Sequence, residues 1–415
     1  MLNMSHTNVT WAAPRPLPRV VQSRLYELDP ATGKAKIIHD VQDRSLFILA
    51  GSPRGICVRE SRDLSKPHHT GSDGRLVALS LGDNQVIWTH SVDEELYNER
   101  LYEDHPRTSS RPRFEGMRIS DECAPFVIVD SKPQRRIVGI DLQTGNDLWE
   151  RTLDSDETWF RTIPVVQGSF AAYASRNETV VLERSTGKDV FIAPPSEQFI
   201  IDGNHVYGTM ANRSVPKSSA TMIWHADLAL RKLIDNVAAP QATRIIGVAD
   251  EVVLCREWKT DTSRSPIAWT QLYGRNRHDL SRIMWNATEI DDLISEDTWP
   301  VVSGSQMLCM NQNPIGVDLV TGRIVAMPLN TSRTHSRPMT ICESFLYCSS
   351  QSTVTRYSMV PWAANEWSWE PEFGNCGTRK KHEAESDVYC AQGVAHEGKI
   401  YLVYCRMNFA GRYGH

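Results

Sequence analysis

Apolar and polar positions alternate along this chain in short runs, and one short plan returns over most of its length. In "RIVGIDLQTGNDLW" (136–149) an apolar run enters a polar Gln-Thr-Gly-Asn turn and leaves it as a second apolar run ending in Trp149. The plan recurs in "RLYELDPATGKAKII" (24–38), "RLVALSLGDNQVIW" (75–88), "TVVLERSTGKDVFI" (179–192) and "PIGVDLVTGRIVAM" (314–327). Looser copies are "MIWHADLALRKLI" (222–234), "IAWTQLYGRNRHDLSRIMW" (267–285) and "VTRYSMVPWAANEWSW" (354–369). Period-two alternation interrupted by a Gly-bearing turn predicts a β-hairpin in each of these eight stretches.

A second set of hairpins interleaves with the first. Its members are "GSPRGICV" (51–58), "CAPFVIVD" (123–130), "PVVQGSFAAY" (164–173), "FIIDGNHVYG" (199–208), "IIGVADEVVLC" (245–255), "PVVSGSQMLC" (300–309), "MTICESFLYC" (339–348) and "GVAHEGKIYLVYC" (393–405). Read as inner halves, each joins the outer half that follows it into a four-stranded blade, but the ends are offset. The outer half at 24 has no inner half before it, and the inner half at 393 has no outer half after it. Pairing the two terminal hairpins completes the set and removes an open sheet edge that would invite aggregation. The turn glycines keep the step: Gly145 and Gly187 are 42 residues apart, Gly187 and Gly322 are 135 apart, or three steps of 45. That is the period of propeller blades. The expected fold is all-β, an eight-bladed β-propeller of four-stranded antiparallel blades closed by pairing of the N- and C-terminal hairpins. Residues 1–20 form an irregular arm, 21–408 the single propeller domain, and 409–415 a short tail. Trp88, Trp149 and Trp285, at the ends of second runs, are expected to pack between adjacent blades.

The pattern of an apolar pair, Leu-Asp, two variable residues, Thr-Gly and an apolar run ending in Trp resembles the repeat of PQQ-like propellers. That superfamily includes the eight-bladed quinoprotein alcohol dehydrogenases and the bacterial outer-membrane assembly lipoprotein, and the resemblance runs from about residue 24 to 405. In the dehydrogenases it implies an axial calcium ion and orthoquinone held by carboxylate and amide side chains, an Asp base and an adjacent-cysteine disulfide. This chain has no Cys-Cys dipeptide and no CxxCH haem site, and no Glu, Asn and Asp trio aligns to the ligand positions. No cofactor is therefore expected, PQQ with calcium included. The Arg, Trp and Pro usage gives the chain a fungal or other eukaryotic look, similar to the quinoprotein-like propellers of fungal F-box proteins. Too few residues precede position 24 for an F-box, so a ubiquitin-ligase role is not expected.

Charge and composition narrow the partners. The 415 residues carry 45 Lys+Arg against 50 Asp+Glu, a net charge of -5, with no basic block, so nucleic acid is not an expected partner. No apolar run is long enough to span a bilayer, and the N-terminus lacks the charged start and apolar stretch of a secretory signal, which points to a cytoplasmic protein. Asn-X-Ser/Thr sequons at Asn3, Asn8, Asn177, Asn212, Asn286 and Asn330 leave secretion open. Of the nine cysteines, Cys255, Cys309 and Cys348 occupy one inner-half position in different blades and read as small core residues. Cys342 with Cys348, and Cys390 with Cys405, are placed to approach across hairpins. No CxxC pair or metal-ligand spacing exists, and no metal is expected.

Candidate contact residues lie where the pattern fails. Residues 59–73, 92–121, 256–265 and 371–389 read as insertions rich in charge, Pro and Gly, and long loops in compact folds tend to carry function. "RTSSRPRFEGMR" brings Arg107, Arg111, Arg113 and Arg118 into one of them, a grip for an anion or phosphopeptide if it is not simply a solvated loop. Trp258 and Trp299 lie off the repeat's Trp position and are candidates for partner contact or core. His68 and His69 fall on a loop between blade halves. Adjacent histidines usually point apart, and a chelate would need a third ligand such as His105 or His382.

No Ser-His-Asp order, carboxylate pair or phosphate-cradling loop stands out. The reading adopted is a monomeric recognition or scaffold module that binds a protein partner. The alternative is a secondary-metabolism enzyme of cyclase, isomerase or lyase type, with a small organic ligand in the axial funnel. A PQQ-dependent oxidoreductase is the third reading.

Overall fold

The computed structural model describes residues 19–62, 74–92, 126–130, 136–153, 165–175, 177–196, 198–211, 221–240, 243–260, 268–287, 301–303, 306–309, 315–326, 337–342, 345–350, 353–358, 367–369 and 386–408. Among these the regular elements are all strands, gathered into eight antiparallel sheets. Sheet I joins the two ends of the chain: β1 (Arg19–Leu28), β2 (Ala35–Gln42), β30 (Ser386–His396) and β31 (Lys399–Asn408), in the order β2-β1-β31-β30. Sheet II is β3 (Arg44–Ser52), β4 (Gly55–Arg62), β5 (Gly74–Ser80) and β6 (Val86–Val92). Sheet III has three described strands, β7 (Phe126–Asp130), β8 (Arg136–Ile140) and β9 (Asp147–Thr152). Sheet IV is β10 (Val165–Gln167), β11 (Phe170–Ala174), β12 (Thr179–Glu183) and β13 (Asp189–Ala193). Sheet V is β14 (Gln198–Asp202), β15 (His205–Ala211), β16 (Thr221–Asp227) and β17 (Lys232–Ala239). Sheet VI is β18 (Arg244–Ala249), β19 (Val252–Thr260), β20 (Ala268–Asn276) and β21 (Ile283–Ala287). Sheet VII is β22 (Val301–Ser303), β23 (Gln306–Cys309), β24 (Ile315–Asp318) and β25 (Ile324–Ala326). Sheet VIII is β26 (Arg337–Cys342), β27 (Phe345–Ser350), β28 (Thr353–Ser358) and β29 (Trp367–Trp369).

The outer hairpins read from the sequence are the third and fourth strands of these sheets, and the inner hairpins are the first and second. First strands lie side by side from sheet to sheet, β10 beside β14, then β18, β22, β26, β30 and β3. Apolar side chains of each sheet mesh with those of the next. Ile56 and Val58 of sheet II pack with Leu25 and Val403 of sheet I, whereas Cys57 and Trp88 pack with Val138 and Ile140 of sheet III.

The repeat's Thr-Gly turn and its tryptophan are two halves of one joint. In the third-to-fourth turn an Asp carboxylate accepts backbone N–H groups, as Asp318 Oδ1 does from Thr321 at 2.8 Å and Val320 at 3.0 Å. The chain then turns through a left-handed glycine, Gly145 at φ 74°, Gly187 at 68° or Gly322 at 70°. Only glycine adopts this conformation without strain. On the previous sheet, the fourth strand carries an unpaired residue, Ile87, Leu148 or Met284, directly before the tryptophan. Such a bulge re-aims the side chain that follows it. The indole lies against the neighbouring glycine and donates to a carbonyl three residues before it: Trp88 to Leu142 at 2.9 Å, Trp149 to Arg184 at 2.8 Å, Trp285 to Leu319 at 2.7 Å. A Cβ on Gly145 would sit 2.6 Å from the Trp88 ring, so a side chain there would drive the sheets apart. The other side of the indole rests on a small residue across its own sheet, Ala78, Gly139 or Gly274.

Two expectations shift on inspection. The insertion expected at 256–265 is strand up to Thr260, paired with β20, and the first residues of the one expected at 59–73 belong to β4. Their charge suggested a loop, yet Arg59, Glu60, Arg256 and Glu257 are buried strand residues. Nor do the suggested cysteine pairs face each other. Cys342 stands opposite Phe345, Cys348 opposite Pro338, Cys390 opposite Tyr404, and Cys405 is a free thiol.

Trp285→Phe keeps most of the packing and removes the N–H donor, so it should cost about 1 kcal/mol. Trp285→Ala should cost roughly 3–5 kcal/mol, as for large core truncations. Denaturant midpoints of the three proteins check both, and equal midpoints would contradict the joint.

Candidate functional site

Because neighbouring strands in each sheet follow one another antiparallel, the two ends of the strands carry different connections. One end collects the first-to-second and third-to-fourth turns, most of them tight: 53–54, 168–169, 203–204, 250–251 and 397–398, and the Gly-bearing turns such as 141–146 and 184–188; the connection 359–366 between β28 and β29 is longer. The opposite end collects the second-to-third connections and the links between sheets. Residues 63–73, 212–220, 261–267, 288–300 and 370–385 begin and end there, and residues 93–125 leave sheet II from it.

The sequence-derived candidates sort onto this frame. His68 and His69 belong to the 63–73 connection, Arg107, Arg111, Arg113 and Arg118 to the 93–125 segment, and Trp299 to the 288–300 link; all seven lie outside the described residues. Trp258 lies in β19, opposite Thr270, and not on a loop. Cys255, Cys309 and Cys348 share one register position, each three residues beyond the residue that opens the second strand of its sheet, and Cys255 is fully buried. Burial pushes its thiol pKa well up, which keeps it protonated and unreactive. Among the described residues no three or more His, Cys, Asp or Glu side chains converge as a cation would require.

Two polar clusters escaped sequence reading, and both sit in seams between sheets. In the seam of sheets I and II, Glu60 on β4 is fully buried, accepts Arg75 Nε at 2.7 Å and meets His39 Nε2 of sheet I at 2.8 Å, with Arg44 Nε at 3.9 Å. Burial alone would raise its pKa, but the bonds from His39 and Arg75 outweigh that and hold the carboxyl below its ordinary 4.5. The same seam is fastened by Ser23 Oγ donating to Arg44 O at 2.7 Å and by His396 Nε2 meeting Ser52 O at 2.9 Å.

In the seam of sheets V and VI the tryptophan joint is replaced outright. Asp235 follows the bulge residue Ile234 on β17, where sheets II, III and VI carry tryptophan, and accepts Leu280 N at 3.2 Å. Beside it His225 Nε2 meets His205 Nδ1 at 3.0 Å, and the His225 ring stacks on Tyr207 at 4.6 Å and 13°. Arg277 of sheet VI reaches Asp202 of sheet V at 2.8 Å. A different substitution joins sheets VIII and I, where Arg356 donates to Pro30 O, the carbonyl equivalent to that of Leu142, while lying 3.5 Å from the Phe345 ring centre. The repeat pattern could have flagged the first of these sites, because Asp235 stands where its tryptophan is missing.

Sheets of this kind, with a hairpin repeat of this period, define a β-propeller-type repeat protein. The family model described as outer membrane protein assembly factor BamB matches residues 19–192. Over that stretch, less than half of the chain, the match supports a relationship to the PQQ-like β-propellers. Its structure is similar to BamB from Moraxella catarrhalis, at 11% identity and TM-score 0.46 over 76% of this chain and 86% of that one. It is also similar to the β-propeller domain of the trilobed protease from Pyrococcus furiosus, which has an open velcro topology, at 9% identity and TM-score 0.42 over 89% and 93%. Pyrococcus horikoshii acylaminoacyl peptidase matches at 9% identity and TM-score 0.39 over 86% of this chain and 51% of the peptidase. No curated protein matches the chain. Among the described residues no helix is long and apolar enough to cross a membrane.

Glu60→Gln should lower stability at pH 7 by about 1–3 kcal/mol, the cost of leaving its partners without a carboxylate. A carboxyl with a depressed folded pKa contributes stability above its unfolded value near 4.5 and loses it as pH falls through the folded one. The gap between wild type and variant should therefore close on acidification, as followed by urea denaturation from pH 7 to pH 3, and a gap constant across that range would contradict the assignment.

Proposed function

We propose that the chain is a recognition or scaffold module, an eight-bladed ring closed by its terminal strands, that docks a protein partner on the strand ends from which its long connections leave. The difference between the two ends of the strands carries this reading. A module that only had to fold could close its strand pairs with tight turns, as this chain does for most pairs at one end. At the other end it spends long, charged and aromatic-bearing segments that the sheets do not need. Loops held on a rigid scaffold are the usual place for recognition. The match to an assembly factor supports the same direction.

The arginines of the 93–125 segment suit an acidic or phosphorylated partner surface, since guanidinium forks bind carboxylate and phosphate bidentately. Closure of the ring is supported by the pairing of β1 with β31, which runs from Arg19 opposite Asn408 to Leu28 opposite Ile400.

Proximity labelling from the full-length chain, followed by purified binding of the partner it identifies, tests the reading. Changing Arg107, Arg111, Arg113 and Arg118 together to Ala should weaken that binding at least tenfold. Changing Lys34, Lys188 and Arg323, which lie on tight turns, should leave it within about twofold. The reverse pattern, or equal loss in both variants, would place the partner elsewhere.

A further inference from the structure

Like the seam of sheets I and II, where His39 follows the bulge residue Ile38, the seam between sheets V and VI carries titratable groups at the position where an indole would sit. His205, Tyr207, His225, Asp227 and Asp235 project from sheet V on the side of sheet VI, and cross-strand pairing sets them in one patch: His205 opposite Asp227, Tyr207 opposite His225, His225 opposite Asp235. Sheet VI answers with Arg277, bound to Asp202, and with the pair His278 and Glu251 at 3.2 Å. Lys232 stands opposite Asp227 at the same end of the strands.

We propose that this seam is an acid-released joint: His225, paired with His205 within sheet V and buried with Tyr207 on the face covered by sheet VI, takes up a second proton when the two sheets part. The bond of 3.0 Å needs one donor nitrogen and one acceptor. A second proton leaves no acceptor and sets two imidazolium ions against each other in a buried place. His225 is 2% exposed, and its Nδ1 has no hydrogen-bond partner. With Nε2–H donating to His205, that nitrogen is a bare lone pair, which burial tolerates. Protonation turns it into a buried N–H with no acceptor, a cost of the kind proteins avoid. Asp227, on the same strand as His225, and Asp235, opposite it, offset part of the added charge, but neither accepts a hydrogen bond from His225 Nδ1, and Asp235 is already engaged by Leu280 N.

The balance shows in the titration of His225. Burial, and then the neighbouring His205, push it from 6.5 down to about 4, against the opposing pull of Asp235 and Asp227. A histidine with a depressed folded pKa keeps its full contribution above the unfolded value, here 6.5, and loses it progressively as pH falls toward the folded one. At pH 5 the released seam, in which His225 is hydrated and free to protonate, gains roughly 30-fold over the closed one relative to pH 7.5 by this linkage. The opening starts at the tight-turn end of the sheets, since His205 opens β15 and Asp227 closes β16.

Hydrogen–deuterium exchange of the full chain at pH 7.5 and pH 5.0, corrected for intrinsic rates, tests this. Peptides from 205–211, 221–239 and 268–287 should lose protection by up to about 30-fold at pH 5.0, while peptides from 75–92 and 136–152, which carry tryptophan joints, should not. His225→Phe keeps the stack on Tyr207 and removes the titrating ring, and it should abolish the pH-dependent loss. His205→Asn, a milder change at a less buried position, serves if His225→Phe does not fold. Uniform loss across all peptides, or a seam-specific loss that persists in the folded variant, would overturn the proposal.

Discussion

An indole laid on a glycine turn of the next sheet is the contact on which the rest of this structure depends. A four-stranded sheet has two apolar faces and cannot bury either alone, so each must be covered by a neighbour. The tryptophan does this twice over. Its area fills the gap between sheets, and its N–H locks the neighbour's turn in register by reaching a carbonyl that would otherwise be without a strand partner. The glycine is required from both directions: the turn needs its left-handed backbone, and the ring needs its missing side chain. A bulge before the tryptophan points it outward, so three local features separated by dozens of residues make one joint.

The seams that lack this joint carry the chain's unusual chemistry. Between sheets I and II a buried Glu60 gathers His39 and Arg75; between V and VI a histidine pair and Asp235 take the slot; between VIII and I Arg356 supplies the donor. In each case a neutral, pH-indifferent contact has been exchanged for one whose strength depends on charge. Buried ionic groups are weak contributors to net stability but costly to disturb. Of these seams the first two contain groups that titrate, whereas the Arg356 guanidinium keeps its charge at any working pH.

The hairpins and their grouping were legible in the sequence because both signals are local: alternation over five to eight residues and a turn that ends in Thr-Gly. The role of Trp88, Trp149 and Trp285 was legible too, since a large aromatic at a fixed repeat position has few other uses. What misled was charge. "CVRESR" and "LCREWK" read as the start of loops, yet Arg59, Glu60, Arg256 and Glu257 continue their strands and are buried there, Glu60 with a cross-strand counter-charge from Arg75 that the linear pattern does not show. The histidine pair could not be foreseen, as His205 and His225 are twenty residues apart and meet only through the register of β15 on β16. The Arg-rich, His-bearing and Trp299 segments fall outside the described residues, so their contribution rests on the connections that carry them.

Pairing of the first described strand with the last is the contact on which the proposed closure of the ring rests, and it can be measured directly. Ser23 stands opposite Cys405, with Oγ and Sγ 3.2 Å apart. Directly opposed antiparallel residues lie within the range a disulfide spans. Ser23→Cys, oxidised under native conditions and digested without reduction, should yield a peptide linking residues 23 and 405 in good yield from the monomeric protein. Absence of that link, or its appearance only between two copies of the chain, would contradict closure of the structure by its own ends.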